Sequence, residues 1–412
     1  MALINLNHLQ VIKHISIKAH EEKLGIYKEL QNKHDTVFKD IDELIGFLKG
    51  LFERRGKTWT HNDYHDENGL FIPGSGICFN YSEGLNLLSN GNGNTIISSG
   101  PELIDFAYRG QTEWFGSCKP TIFRRDPKTG QLDFCQKTID ITRAIIFKEV
   151  LKNHPYIMMI KDPKIIEEYA NYPNKKFNDF ADYVRSEPFY IDEDGLAQHY
   201  GFATNLLDVT SNIDVAAFFA TCKYTGGNDI QFIENGKGVF YVITWFHPNI
   251  FKKLGIIGWQ PLARPQQQCA FALAMTEEDD LDKMTMRMPI QIVYRFYFHQ
   301  FRTNSQRAFR KVKKKNLFIP SEIDQVVKQI MKEKTFEESY IDKAYNKLKT
   351  YFPNHDIGSF QEICLKLRDR KIDIRNQIDI KKRYCNKLII CKSYKRDFTK
   401  MIKQLRYRYS FS

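Results

Sequence analysis

Cysteine is sparse and scattered in this chain: eight residues in 412, with no C-x-x-C pair among them. That spacing excludes a zinc ribbon and a dense disulfide framework, and it fits a reduced compartment in which the thiols are buried apolar groups. No apolar run reaches the roughly 18 residues of a membrane span. The start, Met1-Ala2-Leu3-Ile4-Asn5-Leu6, lacks the basic and long apolar stretches of a secretory signal. The expectation is a soluble, cytoplasmic protein without a membrane partner. Also missing are a G-x-x-x-x-G-K-[ST] phosphate loop, a G-x-G-x-x-G fingerprint, H-E-x-x-H and G-x-S-x-G. P-loop phosphoryl transfer, Rossmann redox chemistry, zincin proteolysis and α/β-hydrolase chemistry lose their usual signatures. What is present is 42% hydrophobic and 14% aromatic residues, enough to bury a sizeable core. The length suggests two or three domains.

Charge is unevenly distributed. Residues 281–412 carry 32 Lys+Arg against 13 Asp+Glu, whereas the preceding part is mildly acidic. A basic end of this kind suits a polyanion, RNA or DNA, and the tyrosines Tyr384, Tyr394, Tyr407 and Tyr409 interleave with its lysines and arginines as on surfaces that stack bases. Solvated helix faces would carry the same charge. Three regions follow from the pattern: a mainly helical part over 1–95, a central domain over 96–320 and a basic helical part over 321–412. In the first, Ile41, Leu44, Ile45, Leu48 and Phe52 recur at helical spacing, and the glycine-dotted stretches around Gly74-Ser75-Gly76 and Gly91-Asn92-Gly93 read as turns or loop. In the second, Val239–Trp245 and Pro289–His299 read as strands, and Ile213–Ala220 as a buried helix capped by Thr210 or Ser211. In the third, Ile323, Val326, Val327 and Ile330, then Tyr340, Ala344, Leu348 and Tyr351, then Phe360, Ile363, Cys364 and Leu367 mark three helices.

His61 and His65 stand four apart with carboxylates beside them, but Asn62-Asp63 and the nearby glycines favour a polar loop over a metal site. Three other polar clusters interrupt the apolar middle. Tyr108-Arg109-Gly110-Gln111, followed by Pro120 and Arg124-Arg125, places a guanidinium between an aromatic ring and a glycine. There it can either grip an anion in a planar fork or pair with a neighbouring element. Gln198-His199-Tyr200-Gly201-Phe202-Ala203-Thr204 runs through Asn205-Leu206-Leu207-Asp208-Val209-Thr210 straight into the buried helix. Polar groups in such a setting are expensive unless paired or reserved for a ligand, although Asp208 and Thr210 would also serve as helix caps. Arg264-Pro265-Gln266-Gln267-Gln268 precedes an apolar strand and offers uncharged donors and acceptors.

Taken in this order, the three clusters resemble the FRG domain over about Gly100 to Pro320. The resemblance implies an α+β fold of ADP-ribosyltransferase-like type: a split mixed β-sheet core with flanking helices, followed here by a basic, mainly helical C-terminal region. It implies NAD, bound as a substrate and cleaved between nicotinamide and ribose, in a family common in bacterial proteins and linked in part to phage defence and toxin-like roles. On this reading Arg109 clamps the pyrophosphate or ribose, and His199 and Thr204 line the nicotinamide ribose. Asp208 orients or activates, Gln268 holds the 2′-hydroxyl side, and Tyr108, Gln111, Gln198 and Arg264 complete the substrate contacts. Asn205 and Val209 stand where many members carry arginine and tryptophan, and Gln267-Gln268 stands where transferases of that fold carry a glutamate. The alternative is a nucleotide-sensing domain without turnover, attached to a nucleic-acid-binding tail.

Overall fold

The computed structural model describes residues 25–53, 106–154, 193–226, 229–244, 264–286, 293–313 and 323–388, with shorter pieces at 71–72, 77–81, 85–89, 95–99, 157–158, 254–256, 262, 317 and 409–410. His61, His65 and the basic residues of 391–408 lie outside these.

The chain enters through β1 (Val37–Phe38) and α1 (Ile41–Glu53). Asp40 Oδ1 accepts the Glu43 amide and the Glu43 carboxylate accepts the Lys39 amide, which closes the helix start. Ile41, Leu44, Ile45, Leu48 and Leu51 form its buried stripe, as the spacing indicates. Four short strands follow, β2 (Phe71–Ile72), β3 (Ile77–Tyr81), β4 (Leu85–Ser89) and β5 (Thr95–Ser99), where mainly helix was expected. They pair antiparallel in sequence order, with Leu85 opposite Ser99 and Leu87 opposite Ile97, and β16 (Tyr409–Ser410) joins β5. Runs of five residues broken by turn formers suit a meander and leave no room for a helical repeat.

The central sheet is built from β6 (Phe106–Gln111), β7 (Leu206–Thr210), β10 (Lys237–Thr244), β11 (Leu254–Ile256), β12 (Ala270–Ala274) and β13 (Val293–His299), together with β1. Its order is β1-β13-β10-β6-β7-β12-β11. Only β1 and β13 run parallel; the other neighbours are antiparallel, so the sheet is mixed and the fold α+β. Strict alternation sorts β13: Tyr294, Phe296 and Phe298 are buried against α1, while Arg295 and Tyr297 face the other way. A β-hairpin, β8 (Cys222–Gly226) with β9 (Asp229–Phe232), stands apart from this sheet.

Helix α4 (Ile213–Thr221) lies on the same face as α1. Its N-cap is Asn212, whose side chain accepts the amides of Asp214 and Val215. This corrects the expected caps: Thr210 ends strand β7 and Asp208 lies inside it, because five residues of β7 are taken up by pairing with β12. Ala216, Ala217 and Ala220 turn towards the sheet, and Val215 and Phe218 pack against α6 (Arg302–Lys313).

The remaining helices form a second core. Around α2 (Phe134–Lys152) gather α3 (Glu193–His199), α7 (Ile323–Met331), α8 (Glu338–Tyr351), α9 (Phe360–Asp369) and α10 (Ile380–Tyr384). The buried stripe of α7 is the one read from periodicity, Ile323, Val326, Val327 and Ile330, and α9 buries Ile363, Cys364 and Leu367 of its expected set. On α8, Ile341 and Tyr345 join Ala344 and Leu348, whereas the expected Tyr340 and Tyr351 are half-buried. Thus the helices beyond residue 320 share one hydrophobic cluster with α2 and with Leu196 and Tyr200. Between them β14 (Thr335–Glu337) and β15 (Asp373–Arg375) pair in parallel.

One glycine sets the spacing of the sheet and α4. A Cβ at Gly110 would fall 2.0 Å from the Ala216 carbonyl oxygen and 2.7 Å from Ala220 Cβ. Gly110→Ala is therefore expected to destabilise by about 1–3 kcal/mol through overpacking. Gly46→Ala, on the exposed side of α1 with nothing within 4 Å, should instead stabilise by about 0.5–1 kcal/mol. Urea midpoints of the two variants check the contrast, and equal shifts would remove the steric argument.

Candidate functional site

Strands β6 and β7 are bridged at Tyr108 and Thr210. Beyond that bridge Arg109 on β6 sends Nη1 across to the Asp208 carbonyl oxygen, 2.6 Å away. A cleft of about 310 Å³ opens here. Its walls are Tyr108, Arg109 and Gly110 of β6, Gln198 and His199 at the end of α3 with Gly201 just after it, Asp208, Val209 and Thr210 of β7, Ala216 and Phe219 of α4, and Gln268 just before β12 with Ala270 at its start. Three segments distant in sequence, each carrying one of the polar clusters, thus meet in one cavity at the lower end of the usual volume for small-molecule sites, roughly 300–1,000 Å³.

Two chains of hydrogen bonds converge on its charged groups. In the first, Thr204 Oγ1 donates to Gln198 Oε1 at 2.6 Å, and Gln198 Nε2 donates to Asp208 Oδ2 at 3.1 Å. In the second, Gln268 Nε2 donates to the Leu317 carbonyl at 3.0 Å while Gln268 Oε1 meets His199 Nδ1 at 3.0 Å. His199 Nε2 then faces Asp208 Oδ1 at 3.7 Å, with the imidazole only 4% exposed. That separation is too long for a direct hydrogen bond, and neither atom has a hydrogen-bond partner among the described residues. Arg109 Nε is buried, and the guanidinium lies against the Cys118 thiol. The backbone is held as well: Thr210 Oγ1 donates to the Gln268 carbonyl and accepts the Asn212 amide.

Not every residue singled out in the sequence reaches the cleft. Thr204 is 1% exposed and stands behind Gln198. Arg264 forms an ion pair with Asp324 of α7 and lies over the Tyr200 ring, 4.5 Å from its centroid. Gln111 is buried at the end of β6, outside the cleft lining, with Oε1 lacking a protein partner. Arg124 is anchored locally, Nε donating to the Lys119 carbonyl. The turn that carries it is fixed by Lys137 of α2, whose ammonium donates to the Ile122 and Arg124 carbonyls. Burial brings that ammonium down to about 8. Gly201, Ala216 and Phe219 take no site role in the sequence because they carry no polar signal, yet they form apolar wall. Sequence reading missed the contributions from beyond residue 310: the Leu317 carbonyl, Asp324, and Tyr351, whose hydroxyl donates to Asn205 Oδ1 at 3.2 Å. Among the described residues there is no group of three or more metal-ligating side chains, and no helix is long and apolar enough to cross a membrane.

The family model of the FRG domain matches residues 105–229, a segment that includes β6, α2, α3, β7, α4 and β8. Gln268 and Leu317 lie outside that match. No curated protein and no solved structure matches the chain.

The Thr204 hydroxyl is the root of the first hydrogen-bond chain and is buried, which makes it the simplest part to test. Thr204→Val, which keeps the shape and removes the hydroxyl, should lower stability by about 1 kcal/mol, and Thr204→Ser should recover most of it. An unchanged unfolding midpoint for the valine variant would mean that the hydroxyl does not hold Gln198.

Proposed function

We propose that the cleft binds NAD and that the protein consumes it, as an ADP-ribosyltransferase or NAD glycohydrolase on an ADP-ribosyltransferase-like fold, in the manner of a bacterial defence or toxin-like effector. The observation that carries this reading is Asp208: a carboxylate in the cleft wall, oriented by Gln198, with one oxygen left without a partner among the described residues. Breaking the bond between nicotinamide and ribose develops positive charge on the sugar, and a fixed carboxylate stabilises that charge. Arg109, on the neighbouring strand and bonded to the Asp208 carbonyl, supports the same reading as the cation of the cleft lining, which would favour a pyrophosphate. The cleft volume suits one nucleoside half of the dinucleotide, with the rest reaching outward.

A second reading, nucleotide sensing without turnover, is favoured by Gln268. Its amide is occupied at both ends, and an amide supplies neither negative charge nor a proton acceptor. Incubation of the purified protein with NAD separates the two. Nicotinamide should be released by the parent chain, and Asp208→Asn should reduce the rate by about 100-fold or more while NAD still binds by calorimetry. Binding of NAD without release in the parent chain would leave the sensing reading. No heat at millimolar NAD would sink both.

The basic residues beyond 390 are assigned to a nucleic-acid partner on charge and tyrosine interleaving. Replacing Lys392, Lys395, Arg396, Lys400 and Lys403 with glutamine should weaken binding to an unstructured RNA or DNA oligonucleotide. It should also flatten the salt dependence of log K by roughly 0.7–0.9 per lost phosphate contact. Equal binding by the substituted and parent chains would place the contact elsewhere.

A further inference from the structure

The hydrogen atoms of the cleft follow from one carbonyl. The Leu317 carbonyl oxygen can only accept, so the end of Gln268 that meets it is the NH₂. The other end is then the amide oxygen, which also only accepts, so His199 Nδ1 must carry a proton and donate to it. In the neutral ring this leaves Nε2 bare, a lone pair aimed at the same gap as Asp208 Oδ1, 3.7 Å away. Two buried acceptors, neither with a donor among the described residues, thus face each other across one gap. Their spacing lets a single oxygen sit about 2.8 Å from each, off the line between them. To satisfy both, that oxygen must offer two protons. Water does; an alcohol hydroxyl offers one.

We infer that His199 and Asp208 form a cradle for a water molecule that acts as the nucleophile, so that the site hydrolyses its substrate in preference to transferring it to an alcohol. The inference rests on the proposed NAD-consuming function. The bond from the ribose C1′ to the pyridinium nitrogen breaks, its electron pair passing to that nitrogen, and neutral nicotinamide leaves. The water oxygen bonds C1′, and its proton passes to His199 Nε2, giving an imidazolium opposite Asp208 that returns the proton to solvent. The products are ADP-ribose, nicotinamide and one proton, with no further reactant. Asp208 and His199 act on the water and the sugar; Gln268 is a positioning residue that fixes which ring nitrogen is bare.

The test begins with the full chain in the absence of NAD, labelled with ¹⁵N-histidine. The resonances of His199 are assigned by their loss in His199→Gln. A neutral ring protonated at Nδ1 is expected, and Gln268→Leu should shift His199 towards a mixture of tautomers. An imidazolium, or a neutral ring protonated at Nε2, in the parent chain overturns the cradle whatever NAD does. The second arm adds NAD in the presence of molar methanol. ADP-ribose alone is expected, and methyl ADP-riboside in proportion to the methanol overturns the preference for water. A chain with the expected tautomer that releases no nicotinamide overturns the hydrolytic step along with the proposed function. The nitrogen spectrum separates that failure from a misassigned cradle.

Discussion

The approach of α4 to β6 is the contact on which the site depends. Gly110 has no side chain, and Ala216 and Ala220, four apart on the helix, present only methyl groups to it. Helix and strand meet closely enough that the helix start, capped by Asn212, follows directly on β7. β7 leaves β6 after a single bridge at Tyr108 and Thr210, and the gap that this divergence makes is the cleft. A larger residue at any of the three positions would lift the helix and move Phe219 and Ala216 out of the wall. The close packing is therefore a constraint on function as well as on stability.

Charged groups in the cleft are few, and uncharged ones fix them. A flexible carboxylate or guanidinium loses rotamer freedom when it is ordered for a ligand; here that ordering is built into the fold by Thr204, Gln198 and Gln268. The anchors of these relays lie outside the cleft and partly outside the matched domain. Leu317 holds Gln268, Asp324 of α7 holds Arg264, and Tyr351 of α8 bonds Asn205. His355 adds a contact at 2.7 Å to Glu277 in the loop after β12. The helices that share a core with α2 thus also brace two of the three polar clusters. A disturbance of this helical part reaches the site through hydrogen bonds of known identity, without any change in the sheet.

The sequence carried the helices and the polar clusters well, and the roles inside the clusters poorly. Periodicity located α1, α7, α8 and α9 because each buries one stripe, and that stripe is a property of local spacing. The β2–β5 meander went unseen because its strands are short and lack a continuous alternation. The three clusters do converge, since Arg109, His199, Asp208 and Gln268 line one cleft. Yet Thr204 and Arg264, which have the same chemistry as ligand-binding residues, serve as supports. A hydroxyl or guanidinium beside an apolar run is equally suited to either task, and only the third dimension tells which partner it finds. The cap of α4 shows the same ambiguity. Asp208, Thr210, Ser211 and Asn212 are all good caps, and the extent of pairing between β7 and β12, a long-range fact, selects the last.

That same long-range context gives a physical reason for the glutamine at 268. A glutamate there would point one carboxylate oxygen at the Leu317 carbonyl, placing acceptor against acceptor at about 3 Å. It would have to break away, which would free His199 Nδ1 from its present partner, or take a proton, which would keep both contacts but remove the negative charge. The carbonyl therefore selects an amide. The negative charge that the proposed reaction needs is carried instead by Asp208, one strand over, where Ala272 is the cross-strand neighbour and Gln198 the orienting donor. Moving the carboxylate from β12 to β7 also puts it beside His199. In the proposed reaction Asp208 would stabilise the cation while His199 takes the proton of the incoming nucleophile, two tasks that a lone glutamate would have to combine.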